Sequence, residues 1–320
     1  MFAVYAARTD AKRPLDGLEL GERPEPAARQ GWTTVEVRAA SLNHHDLWSL
    51  RGVGLGEESL PMILGCDAAG IDENGNEVVV HSVIGQTGHG VGPDERRSIL
   101  TERYQGTFAE RVAVPTWNLL PKPPELSFEE AACLPTAWLT AYRMLFTNAG
   151  VRPGDAVLVQ GAGGGVATAA IVLAKAAGLR VYATSRDAGK RERAAALGAH
   201  GVFAPGARLP ERVDAVLETV GAATWSHSVK SLRPGGTVVI SGATSGPNPP
   251  AAELNRIFFL ELKVVGSTMG TKDELADLLG LCAATGVRPV IDAVLPLDRA
   301  REAFSRMEQG DVFGKLVLTP

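Results

Sequence analysis

Hydrophobic positions follow two different patterns along the chain, and the pattern changes at Ser127. Before it, short runs alternate apolar and polar residues between glycine and proline turns, as in 33–39 and 77–81. This alternation predicts a compact β-rich domain. From Ser127 the segments are longer and rich in alanine and leucine, which predicts helices, and the first opens with a capping-box spacing from Ser127 to Glu130.

After residue 154, apolar strands alternate with helices. The predicted strands are 156–160, 180–184, 214–218, 237–241 and 263–267. Such alternation is typical of an α/β fold, a doubly wound parallel sheet with helices on both faces. The C-terminal segment predicts helices at 272–285 and 297–308 and a strand at 314–318, which we expect to return to the first domain. The stretch 81–105 has few apolar residues, so we expect a mobile surface loop there.

Composition and charge narrow the classes of function. The chain has 320 residues, of which 45% are hydrophobic, and this is long enough for two domains. A formal charge of -4 without a long basic run argues against nucleic-acid and membrane-surface partners and favours a small-molecule substrate. The three cysteines are odd in number and far apart, which favours a reducing, cytoplasmic compartment. We expect a soluble protein, because the N-terminus does not resemble a signal peptide and no apolar run is of membrane-spanning length.

A glycine-rich turn, 161–167, follows the predicted strand 156–160 and opens an alanine-rich helix. Small residues let the backbone approach a pyrophosphate, and the helix N-terminus offers free N–H groups to its charge. The turn therefore predicts a dinucleotide site, although an ordinary tight strand–helix turn is the alternative. The residues expected to hold the pyrophosphate are Gly163, Gly164, Gly165 and Val166.

The residues after the second strand of this domain predict which dinucleotide is bound. A ribose 2′-hydroxyl is usually read there by an acidic residue, whereas Ser185, Arg186 and Lys190 offer donors and positive charge to a 2′-phosphate. This favours NADPH over NADH. The alternative is that Arg186 and Lys190 only belong to the solvated face of the following helix.

Segments spread over nearly the whole chain resemble the medium-chain dehydrogenase/reductase superfamily, in particular its zinc-free quinone-oxidoreductase-like branch. Besides the glycine turn they are 35–47, 64–70, 106–110, 139–142, 232–236 and 314–318. The resemblance implies a chaperonin-10-like β-rich catalytic domain, 1–125 with 269–320, and a Rossmann domain, 126–268, with the active site in the cleft between them. It also implies a homodimer formed through the edge strands of the Rossmann sheets.

The same resemblance bears on metal binding. The positions that resemble the Cys, His and Cys ligands of zinc alcohol dehydrogenases hold Asn43, Cys66 and Thr136, and the four clustered cysteines of a structural zinc are absent. Because asparagine and threonine are poor zinc ligands, we expect no metal. A rearranged site from His45, Cys66 and Asp67 is the alternative.

Without a Lewis acid, reduction of a quinone or of the C=C bond of an α,β-unsaturated carbonyl (an enone) is easier than alcohol oxidation. The resemblance makes Asn43 a candidate for contact with the substrate carbonyl or for positioning the cofactor, and His45 a candidate donor. For Asn43, a turn residue bonded to its own backbone is the alternative. Two other enzyme-or-binding hypotheses stay open, a zinc-type alcohol dehydrogenase with unusual ligands and a non-catalytic NADPH-binding protein.

The resemblance implies further contacts, each of which could instead be core packing or a turn. It places Thr136 and Thr140 near the nicotinamide and Phe203 near the adenine. It places Val220, Gly242, Ala243 and Thr244 near the nicotinamide ribose, and Met269 and Gly270 near the carboxamide. It places Trp48 and Arg51 at the substrate cleft.

Overall fold

Contacts divide the chain into two units in the computed structural model, which describes residues 1–27, 29–85 and 98–320. The first unit comprises Met1–Leu139 and Met269–Pro320, and the second comprises Thr140–Thr268. The predicted division put 126–139 in the Rossmann domain, whereas these residues group with the first unit in the structure. The chain returns to the first unit at Met269.

The N-terminal part of the first unit consists mainly of strands. They are β1 (Phe2–Ala6), β2 (Leu18–Glu22), β3 (Trp32–Ser41), β4 (Met62–Ile63), β5 (Asp67–Asp72), β6 (Glu77–Val80), β7 (Val83–Ile84), β8 (Ser98–Ile99), β9 (Arg111–Pro115) and β10 (Leu119–Pro121). Its helical segments are α1 (His44–Leu50), α2 (Phe128–Ala132), a π-helical segment (Leu134–Trp138) and the 3₁₀ turns Pro14–Gly17, Glu57–Ser59 and Thr116–Asn118. The capping box predicted for α2 is confirmed, because Glu130 N donates to Ser127 Oγ and Ser127 N donates to the Glu130 carboxylate.

The second unit is a parallel sheet with intervening helices, and the predicted Rossmann fold is confirmed. Its strands are β11 (Ala156–Val159), β12 (Arg180–Thr184), β13 (Gly201–Phe203), β14 (Val213–Glu218), β15 (Leu232–Ile240) and β16 (Lys263–Gly266). Its helical segments are α3 (Leu139–Tyr142, which begins at the last residue of the first unit), a π-helical segment (Arg143–Ala149), α4 (Gly165–Ala176), α5 (Ala188–Ala196), α6 (Trp225–Ser231) and α7 (Leu254–Phe259).

The strand order β13-β12-β11-β14-β15-β16 reverses direction between β11 and β14, and every pairing is parallel. All four residues of β11 are buried, as expected for a strand covered on both faces. In such sheets a ligand binds at the carboxyl ends of the strands, where the order reverses.

The chain then completes the first unit with α8 (Lys272–Thr285), β17 (Ile291–Pro296), a 3₁₀ turn (Leu297–Arg299), α9 (Ala300–Gln309) and β18 (Lys315–Thr319). Its main sheet has the order β10-β6-β5-β3-β18-β17, with β9 also paired to β3. The predicted return of the C-terminal strand is confirmed by the antiparallel pairing of β18 with β3.

The predicted surface loop at 81–105 is wrong at both of its described ends. Val83–Ile84 pairs with Ser98–Ile99, and His81, Ser82 and Leu100 are buried. Short runs with mixed polarity concealed this strand pair in the sequence. The middle of the stretch, 86–97, lies outside the described residues.

In the part of the chain that the structure describes, no helix combines the length and the apolar character needed to cross a membrane.

Candidate functional site

The glycine turn of the second unit has the geometry of an anion-binding turn. Gly161 and Gly163 have φ angles of +74° and +132°, which only glycine adopts readily. A Cβ on Gly161 would lie 2.6 Å from Val220 Cγ2, and one on Gly163 would lie 2.8 Å from Lys190 Cδ. Gly164 is the N-cap of α4, so the turn presents bare backbone at the positive end of a twelve-residue helix.

The ends of the neighbouring strands bring more of the predicted residues to the same edge of the sheet. Ala162 N donates to Thr184 O at the end of β12 (2.7 Å), and Ser245 N donates to Val220 O beyond β14 (2.7 Å). A Cβ on Gly221 would lie 2.8 Å from Ala243 Cα. The structure thus assembles most of the predicted cofactor residues, namely Gly163, Gly164, Gly165, Val166, Ser185, Arg186, Lys190, Val220, Gly242, Ala243 and Thr244, along the carboxyl ends of adjacent strands.

An acidic residue that the sequence argument overlooked lies among the predicted 2′-phosphate residues. Asp187 follows Arg186 directly, and its carboxylate accepts a 2.7 Å hydrogen bond from Lys190 N as the N-cap of α5. The Ser185 hydroxyl accepts a bond from Asp187 N. Asp187 thus caps α5 through Oδ1.

Two predicted cofactor residues of this unit have other contacts. The Phe203 ring lies 6.2 Å from the Tyr182 ring and packs on the apolar core, so core packing accounts for it without a ligand. Thr140 is buried.

In the first unit, the three positions that resemble zinc-ligand positions do converge. Asn43 Nδ2 lies 3.7 Å from Cys66 Sγ, which lies 3.4 Å from Thr136 Oγ1. Asn43 ends the loop between β3 and α1, Cys66 immediately precedes β5, and Thr136 belongs to the π-helical segment. Asn43 and Thr136 are hydrogen-bonded to Asp67, the residue after Cys66, and together these four residues form a buried polar cluster.

Asp67 is the centre of this cluster. Its carboxylate is fully buried and accepts hydrogen bonds from Ser41 Oγ (2.8 Å), Asn43 Nδ2 (2.7 Å), Ser82 Oγ (3.2 Å) and Thr136 Oγ1 (2.5 Å). Hydroxyl and amide donors offset part of the cost of burying this charge.

Lys315 brings the compensating positive charge from β18. Its side chain is 2% exposed, and Nζ lies 3.5 Å from Asp67 Oδ2. Nζ also donates to Asn43 Oδ1 (2.6 Å) and to Leu42 O (2.8 Å). Sequence reasoning missed Lys315, although a lysine in the apolar strand 315–318 was a visible signal.

These contacts occupy both ends of the Asn43 amide. Its oxygen accepts from Lys315, and its nitrogen donates to Asp67 and to Ser41 O (3.2 Å). The contacts leave no amide proton for a substrate carbonyl, so Asn43 is suited to hold the cluster together.

The donor set of the cluster does not fit a zinc ion. It offers one thiol, and burial raises the pKa of Cys66 well above the usual range, which disfavours the thiolate that binds zinc. The Lys315 ammonium repels a cation, and the Asp67 carboxylate at the centre of the cluster is already paired with this ammonium. No group of three His, Cys, Asp or Glu side chains suited to a metal occurs in residues 1–27, 29–85 and 98–320, so the rearranged site from His45, Cys66 and Asp67 is not formed there.

His45 is held by the loop after β8. Its Nε2 lies 2.9 Å from Thr101 Oγ1, and burial lowers the pKa of the imidazole, which favours the neutral ring. Thr101 has a φ of +79°, a conformation that costs free energy for a residue with a Cβ. The ring is thus fixed by a strained neighbour, as at many functional sites.

Four other predicted residues belong to the first unit. The Arg51 guanidinium lies 5.3 Å from the Trp48 ring centroid and 3.8 Å from a Glu308 carboxylate oxygen. Met269 has a φ of +49°, and Gly270 O contacts His81 Nε2 at 3.0 Å.

Family models match both parts of the chain. Residues 29–124 match the alcohol dehydrogenase GroES-like domain, and residues 165–284 match the zinc-binding dehydrogenase family.

Individual proteins extend this similarity to nearly the whole chain. The acryloyl-coenzyme A reductase of Sulfurisphaera tokodaii is 28% identical over 96% of this chain and 98% of its own length. A solved NAD-dependent alcohol dehydrogenase is 36% identical, with a TM-score of 0.90 and full coverage of both chains. A 2-octenoyl-coenzyme A carboxylase reductase, solved with NADP and 2-octenoyl-coenzyme A, is 27% identical, with a TM-score of 0.88 over 99% of this chain and 87% of its own.

Proposed function

The chain belongs to the medium-chain dehydrogenase/reductase family, and from this premise we propose that it is a metal-independent, NADPH-dependent reductase of quinones or α,β-unsaturated carbonyl compounds. The observation that carries the proposal is the ion pair of Lys315 with Asp67 at the place that resembles a zinc site. A buried ammonium bonded to Asn43 occupies the place where an alcohol dehydrogenase needs a divalent cation.

The chemistry of an enone suits such a site. NADPH would supply a hydride to the β-carbon of the substrate, and negative charge would then develop on the carbonyl oxygen as an enolate. Hydrogen-bond donors suffice to stabilise an enolate, and its proton can come from solvent or from an acid. Oxidation of an alcohol needs stabilisation of an alkoxide, for which this donor set is poorly suited.

We assign Asn43 a positioning role, because its amide is bonded to Lys315 and Asp67. His45 is the candidate donor to the developing oxyanion, since burial favours its neutral ring and Thr101 fixes the orientation of that ring. Trp48 and Arg51 remain candidates for substrate contact. Thr136, Thr140, Met269 and Gly270 remain candidates for the nicotinamide end, and Phe203 for the adenine end.

The preference for NADPH is part of the proposal. Lys190 lies against Gly163 of the glycine turn, exposed Arg186 follows β12, and Asp187 accepts the capping bond of α5 through Oδ1. Arg186→Ala should weaken NADPH binding at least about tenfold and NADH binding less than about twofold, since only NADPH carries the 2′-phosphate. Titrations of both nucleotides test this, with exposed Arg233→Ala as a control. Equal losses for the two nucleotides would contradict the assignment.

The metal-independent activity has a direct test. Protein dialysed against a chelator and verified free of zinc should oxidise NADPH with a quinone, an enone or an enoyl thioester, at the rate of the untreated protein. Loss of this activity on chelation, with recovery on zinc addition, would refute the proposal.

A zinc-dependent alcohol dehydrogenase is the second candidate, favoured by the zinc-binding dehydrogenase model and by the 36% identical alcohol dehydrogenase. It requires stoichiometric zinc and alcohol-dependent reduction of NAD or NADP. Tight NADPH binding without turnover on either panel would instead identify a non-catalytic binding protein.

A homodimer in the cytoplasm completes the proposal. On α7, Leu254, Phe258 and Phe259 are exposed, and Val264 is exposed on the edge strand β16. An apolar patch beside an open strand edge is suited to pairing with a second copy. Phe259→Asp should yield a monomer in sedimentation experiments, and a wild-type monomer at micromolar concentration would exclude the dimer. The cysteines are unpaired, as in a reducing compartment.

A further inference from the structure

A series of hydrogen-bonded, buried polar side chains, which we call the polar network, lies beneath the glycine turn of the second unit. It begins at Glu218, the last residue of β14, whose carboxylate is fully buried. Oε1 accepts hydrogen bonds from Val220 N (2.8 Å) and Gly221 N (3.0 Å), and Oε2 accepts one from Ser228 Oγ (2.5 Å). Thr224 Oγ1 contacts both oxygens at 2.9 Å. A carboxylate bonded to so many donors holds the backbone after β14 in one conformation.

The polar network continues through Gln160, the residue after β11. Gln160 Nε2 donates to Ser228 Oγ (2.9 Å) and lies 2.9 Å from His227 Nδ1. Its Oε1 accepts from Thr184 Oγ1 (2.5 Å) at the end of β12. Gln160 and Ser228 are fully buried, and Thr184 is 1% exposed, so water cannot substitute for these partners without a rearrangement.

Both ends of the polar network reach the turns that we assign to the cofactor. At one end, Gly161 N contacts Thr184 Oγ1 at 3.4 Å. At the other end, Glu218 holds Val220 and Gly221. The two turns are also close together, because a Cβ on Gly161 would lie 2.6 Å from Val220 Cγ2. The separation between the turns is therefore determined by the buried side chains that link them.

We propose that Glu218 and Gln160 are positioning residues that set the glycine turn and the 220–221 turn at the spacing a dinucleotide requires. They act through backbone N–H groups and through Thr184, and neither contacts the ligand. This inference rests on the proposed function, since it assumes that these turns bind NADPH.

The direction of the hydrogen bonds provides the test. In Glu218→Gln, Oε1 can still accept from Val220 N and Gly221 N. The new amide group must donate to Ser228 Oγ, which already accepts from Gln160. The Ser228 hydroxyl proton then has no acceptor within the polar network. In Gln160→Glu, two carboxylates compete for that proton. Each single variant leaves one link unsatisfied.

The double variant Gln160→Glu/Glu218→Gln reverses the direction of the hydrogen bonds through Ser228, so that each donor in the series has an acceptor again. Thr184 and Ser228 then donate to the carboxylate introduced at position 160, and the amide introduced at position 218 donates to Ser228. His227 Nδ1 loses the amide donor in this variant, while its Nε2 keeps the contact with Ala207 O. Restoration by the second substitution is a result that a merely structural loss does not give.

A matched control exists at the opposite end of the same strand. The Asp214 carboxylate accepts a 2.7 Å bond from Ala156 N and pairs with Arg233. Asp214→Asn disturbs a carboxylate that supports the same sheet, at the edge away from the cofactor turns. It should lower thermal stability without changing nucleotide affinity.

The experiment measures the Kd for NADPH by titration, with thermal unfolding of each variant in parallel. We expect each single variant to raise Kd at least about tenfold, the lower end of the range for loss of one hydrogen bond to a charged group. We expect the double variant to stay within about threefold of wild type and Asp214→Asn within about twofold. A Kd for Glu218→Gln equal to that of wild type would overturn the inference. So would an equal effect of Asp214→Asn, or a double variant no better than the worse single one.

Amide hydrogen exchange without nucleotide separates this inference from the proposed function. Glu218→Gln should speed exchange at Gly161, Ala162, Val220 and Gly221, whereas Asp214→Asn should not. Wild-type protein that binds no dinucleotide would refute the proposed function. The positioning of the two turns would then be decided by exchange alone, and unchanged protection in Glu218→Gln would refute it.

Discussion

Replacing Lys315 by methionine tests the central feature of the first-unit cluster. Methionine keeps most of the length of the side chain but removes its charge and its three donors. The buried Asp67 carboxylate loses its ion-pair partner, and Asn43 Oδ1 and Leu42 O each lose a hydrogen bond. Breaking a buried ion pair by removing one partner costs about 3–5 kcal/mol. For a domain of this size that is a fall in Tm of roughly 6–20 °C.

Equilibrium unfolding in urea, followed by tryptophan fluorescence, is a suitable assay. Four of the five tryptophans, at 32, 48, 117 and 138, belong to the first unit, so the signal reports mainly on the unit that contains Lys315. The control is Arg299→Met, which removes an exposed ion pair with Glu302. It should change the free energy of unfolding by less than about 0.5 kcal/mol.

A second variant distinguishes an uncompensated charge from lost packing. In Lys315→Met/Asp67→Asn no buried charge is left without a partner, so this double variant should be more stable than Lys315→Met alone. The reasoning is refuted if Lys315→Met costs less than about 1 kcal/mol, or if the double variant is the less stable of the two.

Three further predictions concern single side chains. Burial raises the pKa of Asp46 to about 7, so the folded state holds a proton that the unfolded chain releases near pH 4. The free energy of unfolding should therefore fall as pH rises between these values, by up to about 1.4 kcal/mol per pH unit. Urea unfolding of Asp46→Asn should lack this slope. Gly161→Ala should destabilise the second unit and weaken NADPH binding more than Gly206→Ala does in parallel titrations and melts, because the φ angles are similar, +74° and +78°, but a Cβ has open space only at Gly206. His81→Phe should lower the free energy of unfolding by about 1–3 kcal/mol by removing the buried partner of Gly270 O, and a stability equal to wild type would show that this bond contributes nothing.

The features that the sequence predicted correctly are those encoded by neighbouring residues. The strand, glycine turn and helix around 156–176 were found because the apolar run, the small residues and the helical pattern are consecutive. The capping box of Ser127 and Glu130 spans one helical turn. Local geometry follows from local sequence at such places, and the strand–helix alternation was sufficient to predict the Rossmann fold.

Features that depend on distant partners could not be read in this way. The sequence identified Asn43 as a candidate site residue but could not show that its amide is bonded to Lys315, which is 272 positions away. Asp187 was overlooked although it is close in sequence to Arg186, because only the structure shows that its carboxylate caps α5.

The sequence by itself determined the family, five of the six strands of the second unit, and the unsuitability of Asn43 and Thr136 as zinc ligands; it missed the short strand β13. Only the tertiary structure showed which side chains meet at the place that resembles a zinc site, a buried lysine and aspartate joined through Asn43, and which side chains link the glycine turn to the 220–221 turn. The physical reason is that residue type limits which hydrogen bonds and charges are available, whereas burial and three-dimensional proximity decide which of them are paired.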